Sequence, residues 1–98
     1  MNKYQFTDFM NNISTIANYM HEARFDFDND LLFIEGTYHF FKDFDIEIGF
    51  YEDYSIINVC MAYDFHYVEA KLNIARLKDL PLLLRELAWE LYDETLDF

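Results

Sequence analysis

The sequence predicts an α+β fold, an antiparallel sheet of four to five strands with an N-terminal and a C-terminal helix on one face. Three observations carry this expectation. Apolar residues near the N-terminus recur every three or four positions, those from Phe25 onward recur every two, and a leucine-rich helical stripe closes the chain. At 98 residues and 53% hydrophobic content the chain encloses one core, so residues 1–98 form a single domain.

In the first helix, Phe6, Phe9, Met10, Ile13, Ile16, Ala17 and Met20 make one stripe and Asn11, Asn12, Ser14, Thr15 and Asn18 lie opposite, which places it at about residues 4 to 22. The period then changes. Phe25 and Phe27 alternate with Asp26 and Asp28, and Phe44, Ile46, Ile48 and Phe50 alternate with Asp45, Glu47 and Gly49, so each strand has one wet face. Further strands are expected at Leu31 to His39, Tyr54 to Tyr63 and His66 to Ala75, the last turning Val68, Ala70, Leu72 and Ile74 one way and Tyr67, Glu69, Lys71 and Asn73 the other. The segments DND, KD, YED and DF between them suit antiparallel hairpins and are too short for parallel crossovers.

Asp79 is the expected cap of the last helix, with Pro81 in its first turn, where a missing N–H costs nothing. Its stripe is Leu80, Leu83, Leu84, Leu87 and Leu91, and it runs to about Asp93. A second set, Leu82, Trp89, Tyr92 and Leu96, points elsewhere. Either the rest of the chain wraps over it or a partner does, a homodimer through this helix included.

Nineteen Asp and Glu against seven Lys and Arg give a formal charge of -12, which opposes any direct grip on a nucleic-acid backbone. An aromatic content of 20% excludes the usual acidic disordered tail, which has no large side chains to bury. Lone Cys60, in the apolar run IINVCMA, reads as a small buried hydrophobe in a reducing compartment. With no signal-like start and no apolar run long enough to cross a membrane, the expected location is the cytoplasm, the host's if the protein is phage-encoded.

Catalytic and cofactor signatures are missing. Asp26, Asp28 and Asp30 occupy positions one, three and five of a calcium loop, but Leu31 stands where Gly is required and Thr37 where Glu is required. His21, His39 and His66 have no metal-ligand spacing, and Ser14 and Ser55 lie in no nucleophile motif. His39 with Glu35 is an acid/base pair without a nucleophile. Two glycines provide no phosphate cradle. The expectation is a non-enzyme with no cofactor and no metal.

What remains is the placement of charge. Between Glu22 and Asp53 lie ten acids, Glu22, Asp26, Asp28, Asp30, Glu35, Asp43, Asp45, Glu47, Glu52 and Asp53, against Arg24 and Lys42. Alternating acids on one strand stand about 6.8 Å apart, against one charge per ~1.7 Å of duplex DNA axis. Two or three neighbouring strands bring the density closer. A merely solvated face normally mixes signs, and like charges on adjacent strands repel. A second acidic cluster, Glu86, Glu90, Asp93, Glu94 and Asp97, sits at the end of the last helix, where the macrodipole disfavours it, and Lys71, Arg76, Lys78 and Arg85 gather before and within that helix.

A short, strongly acidic, Cys-poor, aromatic-rich chain with helices on an antiparallel sheet resembles the small phage-encoded anti-defence proteins, anti-CRISPR inhibitors and anti-restriction DNA mimics among them. The resemblance is one of overall character. It implies binding to the basic nucleic-acid groove of a Cas effector or other nuclease, with carboxylates standing where phosphates would lie, and no direct contact with nucleic acid or membrane. The residues expected to bind are Asp26, Asp28, Asp30, Asp43, Asp45, Glu47, Glu52 and Asp53, with Tyr51 and Tyr54 as rim anchors. Two other acidic classes compete, dimeric secretion chaperones and nuclease-toxin immunity proteins.

Overall fold

A computed structural model of the chain describes residues 3–96. The order is α1 (Lys3–Asn18), β1 (Met20–Asp28), β2 (Leu31–Tyr38), β3 (Phe41–Tyr51), β4 (Ile56–Tyr63), β5 (His66–Asn73), a 3-10 segment (Ile74–Asp79) and α2 (Leu80–Leu96). Strands lie in the sheet in chain order and every neighbouring pair is antiparallel, so the α+β meander is as the periodicities predict.

One face of the sheet is the core. Leu32 and Ile34 from β2, Phe44, Ile46, Ile48 and Phe50 from β3, Ile57, Val59 and Met61 from β4 and Val68 from β5 are buried under Ile13 and Ile16 of α1 and Leu80, Leu84, Leu87 and Leu91 of α2. Each such side chain contributes about 1.5–3 kcal/mol on leaving water. Both helices therefore cover the same face, which leaves the other face open.

Several boundaries differ from the sequence reading. Helix α1 ends at Asn18, because the Tyr19 amide donates to the Ile16 carbonyl at 3.1 Å and the chain turns into β1. Met20 continues the helical spacing only because it buries into the same core as a strand residue. Asp79 does not cap α2: the preceding 3-10 segment is capped by Asn73, whose side chain accepts from the Ala75 amide at 2.9 Å, and Asp79 instead accepts from Arg76 Nε at 3.1 Å. Lys42 and Asp43 belong to β3, and the β2–β3 turn is His39–Phe40.

The other hairpins are tight. Asn29 and Asp30 join β1 to β2 with φ of 51° and 64°, and Asp64 and Phe65 join β4 to β5 with φ of 49° and 68°, the left-handed pair that a two-residue hairpin loop requires. Asn suits this conformation and Phe does not, yet Phe65 is fully exposed there. The β3–β4 turn holds Glu52, Asp53 and Tyr54 all at positive φ, braced by the Ser55 hydroxyl and amide on the Glu52 carbonyl at 2.6 and 3.1 Å.

Strand β1 carries a bulge. His21 pairs with Thr37 and Arg24 with Glu35, so β1 has one residue more than β2 there, and Glu22 takes φ 56° to absorb it. Gly36 faces this bulge, and a Cβ on it would lie 2.9 Å from the His21 carbonyl oxygen. Beyond the bulge Phe25 and Phe27 pair with Ile34 and Leu32 and so point to the helical side, yet they are 54% and 67% exposed. The expectation of one wet face fails at this edge, where both faces meet solvent.

Candidate functional site

The open face of the sheet is built by alternation. Wherever β3 turns Phe44, Ile46 and Ile48 to the core it turns Asp43, Asp45 and Glu47 outward, all exposed. Pairing then sets their neighbours. One row across the sheet reads Arg24, Glu35, Glu47, Cys60, Glu69; the next toward the β2–β3 turn reads His21, Thr37, Asp45, Ala62, Tyr67; the next the other way reads Asp26, Phe33, Gly49, Asn58, Lys71. Asp28 shares the outward side of β1 with Asp26. Seven carboxylates, Asp26, Asp28, Glu35, Asp43, Asp45, Glu47 and Glu69, thus share this face with two permanent cations, Arg24 and Lys71.

Little within the molecule neutralises them. Arg24 Nη2 lies 3.8 Å from Glu35 Oε2, between exposed side chains, a weak pair in water. Asn58 Nδ2 donates to Glu69 Oε2 at 3.3 Å. Glu35 and Glu47 stand directly opposite each other. Partial burial, then the Glu35 charge, then a hydrogen bond donated by protonated Glu47 to Glu35 raise the Glu47 carboxyl above its usual range. Lys42 lies where the pairing of β3 with β2 shifts; it is exposed and makes no salt bridge among the described residues.

Of the residues singled out from the sequence, Asp26, Asp28, Asp43, Asp45 and Glu47 come together here. Asp30 lies in the β1–β2 turn and Glu52 and Asp53 in the β3–β4 turn, both at the same end of the sheet; Asp30 follows Asp28 closely, whereas Asp53 lines a cleft with Gln5, Asp8, Phe9 and Asn12 of α1, on the helical side. Tyr51 belongs to the site: with Phe33 it closes over Gly49, whose hydrogen leaves room where a Cβ would lie 2.8 Å from Phe33 and 2.9 Å from Tyr51. Tyr54 does not. Its ring packs against Phe9 at 4.8 Å and Phe50 at 5.9 Å on the helical side, so it is a core-edge residue.

Glu35, Glu69 and Cys60 are members that the selection of binding residues passed over. The alternation of Leu32, Ile34 and Val68 already turns both glutamates outward. Cys60 is half-buried on the acidic face, where the inward set Ile57, Val59 and Met61 must leave it. Burial, then Glu69, then Glu47 push its thiol up, away from the reactive thiolate. His39 lies in the β2–β3 turn, apart from Glu35.

The opposite end of the sheet is aromatic. Phe40 and Phe65 project from the two turns there, and just inside them Phe41 meets Phe44 and Tyr63 edge to face while Phe44 and Tyr63 are tilted against each other. Among the described residues no three His, Cys, Asp or Glu are arranged to hold a metal ion, and no helix is long and apolar enough to cross a membrane. No known protein family, no curated protein and no solved structure matches the chain.

Proposed function

We propose that the protein is a non-enzymatic inhibitor that binds the basic nucleic-acid groove of a nuclease, of the anti-CRISPR or anti-restriction kind, through the open face of its sheet. The observation that carries this reading is the set of seven carboxylates on one uncovered face, with Glu35 and Glu47 left in mutual repulsion. An arrangement that lowers the stability of the free protein is relieved by a cationic partner. On β3 the steps between Asp43, Asp45 and Glu47 are about 6.8 Å, and Glu35 and Glu69 widen the line into a band. The turn acids Asp30 and Glu52 lie at the end of that band, and Tyr51 with Phe33 supplies an apolar anchor beside it.

The same physics serves an immunity protein against a nuclease toxin, whose target is one dedicated enzyme. A secretion chaperone would instead bind through apolar surface, and Trp89→Ala would then harm it more than any carboxylate change. Cleavage of plasmid DNA by a Cas effector or restriction nuclease, assayed with and without the protein, tests the reading. Native protein inhibits, the double variant Asp45→Lys/Glu47→Lys does not, and added duplex DNA relieves inhibition. Equal inhibition by the variant would refute the proposal.

A further inference from the structure

The two edges of the sheet differ in character. At β5, α2 packs over the helical side, and Lys71 stands on the outward side, a charge of the kind that guards an edge. At β1 the bulge breaks the ladder only in the first half, and from Arg24 to Asp28 the strand is regularly paired and exposed at every residue. A two-residue turn is closed by a hydrogen-bonded pair, here Asp28 and Leu31, and bonded and unbonded pairs alternate along an antiparallel ladder. Phe25 and Phe27 therefore turn their amides and carbonyls to the open edge, where no strand of the described chain pairs with them.

Side chains along this edge are sorted by face. Phe25 and Phe27 point to the helical side, and Asp26 and Asp28 to the acidic side. Helix α1 adds to the first set. Gln5, Asp8 and Asn12 line the cleft toward the β3–β4 turn and Ile13 and Ile16 face the sheet, so Phe6 and Met10 fall on the flank toward β1, both exposed. Phe9 packs on Phe50 and Tyr54, so α1 runs back along the sheet from its junction with β1. Phe6 is then about 18 Å from that junction along the helix and Phe25 about 17 Å from it along the strand, which brings the two to one level. Four large apolar side chains border an unpaired backbone edge, with two carboxylates on its other side.

We infer that the β1 edge between Arg24 and Asp28 accepts an extended segment of a partner protein as an added strand, and that this segment alternates apolar residues with Lys or Arg. Side chains of an added strand alternate in step with those of β1. Its apolar residues therefore lie against Phe25 and Phe27, beside Phe6 and Met10, and its cations lie opposite Asp26 and Asp28, where opposite charges on paired residues are favourable. A second copy paired through the same edge would join two chains of charge -12 and lay their acidic faces side by side. A basic segment lowers that charge instead. The inference rests on the edge of the sheet rather than on its open face, and holds whether or not the partner is a nuclease.

A short synthetic peptide of alternating Lys and Val, titrated into the full chain and followed through the backbone amides by NMR, tests it. The expected result is binding in which the Phe25 and Phe27 amides shift and exchange more slowly with solvent while those of β5 do not. Two N-methylated forms of equal mass and charge decide whether the backbone is bonded. Methylation of the Val amides, which pair with Phe25 and Phe27, should weaken binding about tenfold, and methylation of the Lys amides should leave it unchanged. Phe25→Ser/Phe27→Ser, at exposed positions, should weaken binding to a similar extent with unchanged far-ultraviolet circular dichroism, and a peptide alternating Glu and Val should not bind. Absence of binding, equal binding of the two methylated forms, full affinity in the folded Ser variant, or protection at β5 in place of β1 overturns the inference. So does a native chain that dimerises through β1 without peptide.

Discussion

Glu35 and Glu47 face each other across neighbouring strands with no cation between them, and this pair is where the cost of the acidic face is most directly measurable. Glu47→Gln should stabilise the native state at neutral pH by about 0.2–1 kcal/mol, the usual size of a cross-strand charge effect, in urea denaturation. The pH dependence follows from linkage. The folded carboxyl of Glu47 titrates above its unfolded value of 4.5, so the unfolded chain gives up its proton first and stability falls as pH rises from that value through the raised folded one. Below both values the penalty is absent, so the advantage of Gln should be full at neutral pH and vanish in acid. Cys60 reports the same field from the next strand. Its alkylation should be slower than that of an unhindered thiol at the same pH, and Glu69→Gln should speed it by removing one of the two charges that hold the proton on; an unchanged rate would leave burial as the whole cause.

Helices α1 and α2 cover the same face, and the core beneath them sets what each substitution costs. Ile16→Ala, at a side chain with no exposure, should lose about 2–5 kcal/mol in urea denaturation. At the β1 bulge the strain is steric: Gly36→Ala drives a methyl into the His21 carbonyl, and a loss of about 1–3 kcal/mol is expected. These elements were largely legible in the sequence. Alternation in β3 and β4 and the leucine stripe of α2 announce both period and inward face, because a single core selects apolar residues at every inward position. Boundaries were less legible where two elements bury into that core without a break in spacing, as at Met20, or where a local hydrogen bond decides, as at Asn73 and Asp79. Tyr54 could not be assigned from its position beside Glu52 and Asp53, since three successive left-handed residues turn its ring to the helical side. Glu35 and Glu69 were readable from alternation, but their convergence with Glu47 depends on register across four strands, which no single segment encodes.

The whole molecule is elongated, 51 × 26 × 23 Å, with a charge of -12, an acidic sheet face running into an acidic end and an aromatic end opposite. Self-repulsion on this scale is screened over about 10 Å at 0.1 M salt. Added salt should therefore raise the midpoint of thermal unfolding while weakening the complex with a basic partner, and this opposition of sign separates a binding face from solvent decoration. The most direct test is affinity isolation from a cell lysate with the native chain and Asp45→Lys/Glu47→Lys side by side, each eluted first with duplex DNA and then with rising salt. The native chain is expected to retain a basic nucleic-acid-binding protein that DNA displaces, and the variant to retain none. Recovery of the same protein by the variant, or retention indifferent to DNA, would contradict the inhibitor reading.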